Sequence, residues 1–234
     1  MTKKIELLKT LVGGRAHGEG FYTAESDYDY RGVFVIPTRE FHRIGNTVKS
    51  TQWIEGKEDV SEYEIGHFLH LATQNSPNIL EMFGTDNCIS KDEVYGQRIR
   101  DLFWDLIDGK KFYDSQIGYS RRNIFKMIEA HDNQNPRWAK FGFQACRAMV
   151  QASNIIFTRK IRLEVPAWDF YQKHLIEIKS GLVDLSSVQY SYNNLKGIFD
   201  RNYNSSAMSD KFSDVSKAND LLWEIRTDRR FMDW

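Results

Sequence analysis

Two aspartates one residue apart, Asp27 and Asp29, stand at the mouth of Tyr28-Asp29-Tyr30-Arg31-Gly32-Val33-Phe34-Val35-Ile36, a run rich in aromatic and β-branched residues that stops at Pro37. That composition, with a breaker behind it, predicts a β-strand. Side chains at i and i+2 share one face of a strand, so the two carboxylates sit side by side and repel unless a positive charge lies between them. On an exposed edge water screens both. The alternative is a divalent ion, for which carboxylate oxygen is a preferred donor. Upstream lies Val12-Gly13-Gly14, and a Gly-Gly turn exposes backbone N–H groups that can cradle a phosphate. Phosphate on the glycines and Mg²⁺ on the aspartates are what phosphoryl and nucleotidyl transfer need, because the ion neutralises the polyphosphate and lowers the pKa of the attacking hydroxyl.

These groups must be positioned by the elements around them. Ile5, Leu8, Leu11 and Val12 recur like one face of a helix and predict one over residues 3–12, ended by the glycine pair. A polar loop then leads to the strand of Tyr28. Residues 51–55 and 59–63 predict two further strands about a turn at Gly56, and residues 65–72 and 78–83 predict two helices separated by Asn75-Ser76-Pro77. Beyond residue 92 the periodicity predicts helices over 95–107, 115–130, 139–159, 167–180 and 219–234. The expected architecture is an α/β (α+β) N-terminal unit with a mixed sheet, residues 1–90, followed by a mainly helical domain, residues 91–234.

Composition narrows the class. The chain of 234 residues balances 32 basic against 32 acidic side chains, so its overall charge points to no polyanionic partner. Residues 1–90 carry 9 of the basic and 13 of the acidic groups, a mild asymmetry that suits an acidic site beside a more basic half. Cys88 and Cys146 are too few for a disulfide framework or a zinc ribbon, and the six histidines are scattered. Charges interrupt the first residues, and no apolar segment is long enough to cross a bilayer. The expectation is a cytoplasmic protein with no membrane partner.

The pattern resembles the polymerase-beta-type nucleotidyltransferase superfamily, whose signature is an apolar residue, Gly-Gly or Gly-Ser, about ten residues and Asp-x-Asp. The fuller strings Gly14-Arg15-Ala16-His17-Gly18 and Ser26-Asp27-Tyr28-Asp29-Tyr30-Arg31-Gly32-Val33 are similar to the polymerase-beta-like branch associated with RNA repair pathways. The likeness continues through Asp59, Tyr63-Glu64-Ile65, His67-Phe68, Leu71-Ala72 and Ser76-Pro77-Asn78-Ile79-Leu80-Glu81, and reaches Lys140-Phe141 and Ala145-Cys146-Arg147. Two positions depart from the branch. Gly13-Gly14 stands where Gly-Ser is usual, and Gln144 stands where a histidine is usual.

The resemblance implies a transferase that moves a nucleoside monophosphate from an NTP, ATP among them, to a hydroxyl and releases pyrophosphate. The acceptor it implies is an RNA end, tRNA included. A protein hydroxyl, as in antitoxin-type relatives, and a non-catalytic nucleotide or RNA binder of the same fold are the alternatives. By position, Asp27 and Asp29 bind two Mg²⁺ ions, and a third carboxylate on the neighbouring strand assists: Asp59, with Glu62 and Glu64 as alternates. Gly13, Gly14 and Arg15 meet the triphosphate, Ser26 supports the loop, and Lys140 and Arg147 reach in from the helical half. Arg31 either binds phosphate or pairs with a carboxylate. Glu81 is read as a brace between the halves.

Overall fold

The computed structural model describes residues 4–45, 48–84, 88–165 and 170–232. β1 (Ile5–Val12) runs directly into α1 (Gly13–Ala16), a single helical turn, and β2 (Tyr28–Val35) returns antiparallel beside β1 with Asp29 opposite Val12. After α2 (Thr38–Phe41) come β3 (Ser50–Glu55) and β4 (Glu58–Glu64), an antiparallel hairpin. β4 lies parallel to β2, in a register that sets Asp59 opposite Asp29. α3 (Ile65–Ala72) and α4 (Pro77–Leu80) follow, and β5 (Cys88–Lys91) pairs with the other side of β1. The sheet is mixed, in the order β3-β4-β2-β1-β5.

The helices are α5 (Gly96–Asp101), α6 (Phe103–Leu106), α7 (Gly109–Asp132), α8 (Trp138–Thr158), α9 (Phe170–Lys179), α10 (Leu185–Asn204) and α11 (Ser216–Thr227). This is the mixed sheet followed by helices that the sequence predicts. Apolar residues of the sheet, Leu8, Val33 and Val35 among them, share one core with Ile65, Phe68 and Leu69 of α3. The same core runs on through Phe112, Met127, Phe143, Met149 and Phe199 of α7, α8 and α10. Chain beyond residue 90 also serves the sheet side. β5 ends at Lys91, and α11 returns to α3, where Arg226 pairs with Glu64.

The structure departs from the predicted elements in places. Residues 5–12 form a strand, not a helix. The alternating buried set is Leu8, Thr10 and Val12, and a polar residue in its middle hides the period of two. Thr10 is accommodated there because its hydroxyl donates to the carbonyl of Arg31 on β2. An irregularity between Glu6 and Leu8 also lets Leu7 and Leu8 both be buried, which further mimics helical spacing. β5 and α10 were not predicted. α10 is rich in Ser, Asn and Tyr, poor helix formers, yet it buries Val188, Tyr192, Leu195 and Phe199 on one face and is capped by Asp184, which accepts from the Ser187 N–H. Residues 3, 167–169 and 233–234 of the expected helices lie outside the described residues. Among the described residues no helix is long and apolar enough to cross a membrane.

Candidate active site

Where β1 ends and β2 begins, a cavity of about 410 Å³ opens between the sheet and α8. Its floor is the glycine turn. Gly13 has φ +69°, a conformation that favours glycine, and a Cβ added there would lie 2.0 Å from Asp29 Oδ2. The turn is therefore pressed against the carboxylate, with no room for a side chain between them. At Gly14 a Cβ would meet the Phe21 carbonyl at 2.7 Å and Lys179 Nζ at 3.2 Å. No side chain caps the start of α1, so its first-turn N–H groups suit an anion in the cavity.

One wall is acidic. Asp29 and Asp59 sit opposite each other on parallel strands, and Asp27 lines the same cavity from the loop before β2. Burial raises the pKa of half-buried Asp29; Asp59 and Asp27 push it the same way, while Lys140 and Arg31 oppose them. The neighbouring acids thus disfavour the charge of Asp29, the condition that a cation relieves. Among the described residues no three His, Cys, Asp or Glu side chains are gathered tightly enough to enclose an ion. The donor set still fits Mg²⁺, which takes one or two carboxylates and completes its shell with water and substrate phosphate.

The facing wall is basic and comes mostly from the helices. Lys140, Phe143, Gln144 and Arg147 recur at i, i+3, i+4 and i+7, one face of α8, and all four line the cavity. Lys179, at the end of α9, donates to the Phe21 carbonyl and stands 5.4 Å from the centre of the Phe143 ring. Burial, then Lys140 and Arg147, lowers the pKa of Lys179, with Asp29 pulling it back. Beneath this wall lies Glu81, 3% exposed. It accepts from Arg31 of β2 at 2.9 Å and from Arg147 of α8 at 2.8 Å, and Arg31 also donates to the Asn78 carbonyl. Burial alone would raise the Glu81 pKa, but Arg147 and Arg31 outweigh it and hold the carboxyl below its ordinary range.

The structure brings together in this cavity Gly13, Gly14, Ser26, Asp27, Asp29, Asp59, Lys140 and Arg147. Arg15 is elsewhere. Its guanidinium donates to the Ser26 carbonyl at 2.8 Å and stacks on Tyr28 at 3.9 Å, so it braces the loop that carries Asp27. Ser26 itself lines the cavity and accepts from the Thr23 N–H at 2.9 Å, closing that loop. Glu62 and Glu64 fall on the opposite face of β4 from Asp59, by the two-residue period of the strand. Glu62 pairs with Lys4, and Glu64 caps α3 and pairs with Arg226. Neither lines the cavity. Arg31 takes the pairing role while still lining the cavity, and Glu81 is the brace.

Residues that sequence reasoning passed over are Lys179, His17, Phe21 and Tyr119, all cavity-lining. His17 is buried, its Nδ1 3.1 Å from the Leu163 carbonyl, and burial, then Arg147, lowers its pKa to about 3. It stays neutral near pH 7. Lys179 follows Ile178 on an amphipathic helix and carries no local mark of a site; only docking of α9 against Gly14 and Phe21 reveals it.

A search of the curated proteins returns no match. Among solved structures, a nucleotidyltransferase-like protein from Exiguobacterium sibiricum is similar at 8% identity and a TM-score of 0.35, over 94% of this chain and 73% of that one. The model of the RNA repair pathway DNA polymerase beta family matches residues 4–215. That span holds the glycine turn, the three aspartates and the basic wall, and the chain belongs to this polymerase-beta-like family of nucleotidyltransferases.

Proposed function

We infer that the protein transfers a nucleoside monophosphate from an NTP to a hydroxyl at an RNA end, tRNA included, with release of pyrophosphate and dependence on Mg²⁺. The observation that carries this reading is the single cavity with a glycine turn as floor, Asp27, Asp29 and Asp59 on one wall, and Lys140, Arg147 and Lys179 on the other. The backbone N–H groups of the turn and the three cations hold the polyphosphate of the NTP. Asp59, beside Asp29, accepts the proton of the acceptor hydroxyl; the hydroxyl oxygen bonds to the α-phosphorus as the bond to the β-phosphate oxygen breaks. Asp27, Asp29 and Asp59 would hold two Mg²⁺ ions, which when bound neutralise the polyphosphate and make the hydroxyl more acidic. Gly13, by lacking a side chain, lets Asp29 approach the bound phosphates.

The test incubates purified protein with each α-labelled NTP, Mg²⁺ or EDTA, and either total RNA or a protein lysate. Label on RNA, lost with EDTA and in Asp29→Asn, is the expected result. Label on protein instead would replace the acceptor, and NTP binding with no transfer to either would leave a non-catalytic binder.

A further inference from the structure

Arg147 lines two cavities. The second, about 210 Å³, lies between α8 and the segment that follows it. Val150, Gln151, Asn154 and Thr158 supply the α8 wall, on the same face as Arg147. α8 ends at Thr158, and Arg159 after it has a φ of +54° that turns the chain. Residues 160–165 then form an extended strap in which Ile161, Leu163 and Val165 are buried and Arg162 and Glu164 are exposed. The strap is tied to the chemistry. The Val165 N–H donates to the His17 carbonyl at 3.0 Å, and His17 Nδ1 meets the Leu163 carbonyl. The second cavity is thereby anchored to the helical turn that carries Gly13 and Gly14.

Its lining has the chemistry of a nucleotide seat. Lys160, Arg162 and Arg147 stand against one acid, Glu164. The Arg147 Nη atoms are engaged by Glu81 and Gln151, but its Nε is buried with no hydrogen-bond partner among the described residues. Gln151 and Asn154 offer amides to sugar or base edges, and Val150 and Leu163 offer apolar surface to a base. Phe157, 70% exposed, lies two turns along α8 from Val150. Lys160 and Arg162 suit the phosphates of a single strand, whose backbone carries one negative charge per nucleotide.

Resting on the RNA-acceptor reading, we propose that this cavity seats the single-stranded stretch of an RNA acceptor next to its reacting end, with Lys160 and Arg162 on its phosphates and Arg147 shared with the cavity of Asp29 and Asp59. The experiment measures binding of a short single-stranded RNA across a salt series, transfer onto it, and nucleotide binding, in the wild type, in Lys160→Ala/Arg162→Ala and in Asn154→Trp. All three positions are exposed, so both variants should fold. Removing the two cations should weaken RNA binding by about tenfold at physiological salt and make the log–log salt slope shallower by about 1.4. Filling the cavity with tryptophan should weaken binding with the slope unchanged, and nucleotide binding should not move in either variant. RNA binding through these residues without any transfer would uphold the cavity and sink the transferase reading. Transfer to RNA indifferent to both variants would do the reverse. Protein labelling that depends on the strap cations would overturn RNA as the occupant.

Discussion

At the scale of residues, the site is a balance of charges that the fold leaves incomplete. Asp29 has a raised pKa because burial and its acidic neighbours disfavour its charged form. A carboxyl with a raised folded pKa favours the folded state while protonated, and that advantage is lost as pH rises through the folded value. Without divalent ions at neutral pH, Asp29→Asn should therefore raise Tm. The same variant should blunt the rise in Tm expected on adding Mg²⁺ with NTP and lower transfer by about 10²-fold or more. Thermal scans with EDTA, Mg²⁺ and Mg²⁺ with NTP check all of this. Glu81 is the opposite case, a buried acid between two arginines. Glu81→Ala leaves both guanidiniums without their shared partner and should destabilise by about 3–5 kcal/mol in urea unfolding. Glu81→Gln, which keeps a hydrogen-bonding side chain, should lose less stability and still raise the KM for NTP, since Arg147 loses its anchor. The aspartates were legible in the chain because two acids at i and i+2 before a β-rich run are conspicuous. Glu81 was legible only as a brace, since its partners lie 50 and 66 positions away.

At the scale of elements, Arg15 separates two readings of one motif. Beside two glycines it reads as a phosphate ligand; folded, it reaches the carbonyls of the loop and the Tyr28 ring. Arg15→Lys keeps the charge but not the planar fork. It should lower kcat with little change in the KM for NTP, and increase proteolytic cleavage in residues 22–27. A triphosphate ligand would show the reverse, a KM effect with the loop still protected. β1 reads as a helix in the sequence because its local pattern is ambiguous. Thr10 breaks the apolar alternation, and only the carbonyl of Arg31 on the next strand explains how a hydroxyl is buried there. The rivalry among Asp59, Glu62 and Glu64 was likewise undecidable locally. A one-residue shift in strand phase exchanges the faces, and the pairing of β4 with β2 puts Asp59 on the cavity face and Glu62 and Glu64 on the other.

At the scale of the molecule, His17 joins the two halves, bound to the strap at Leu163 and lodged against Phe21 and Phe143. Its folded pKa of about 3 lies below the ordinary 6.5, so the unfolded chain takes up the proton first. Its contribution is intact above pH 6.5 and erodes as pH falls toward 3, by about 1.4 kcal/mol per pH unit. Unfolding free energy measured between pH 7 and 4 should show this slope, and His17→Gln should flatten it. Taken by itself, the sequence determined the chemistry of the sheet side: a glycine turn, a pair of carboxylates and a strand to carry them lie within about twenty residues, where local pattern is informative. It also determined the helical character of the second half, because amphipathic period survives without knowledge of partners. Tertiary structure alone decided which third acid faces the cavity, that Lys179 joins Lys140 and Arg147, and that Glu81 ties the sheet to α8. Those facts depend on strand register and helix docking, which bring together groups too far apart in the chain for any local pattern to relate.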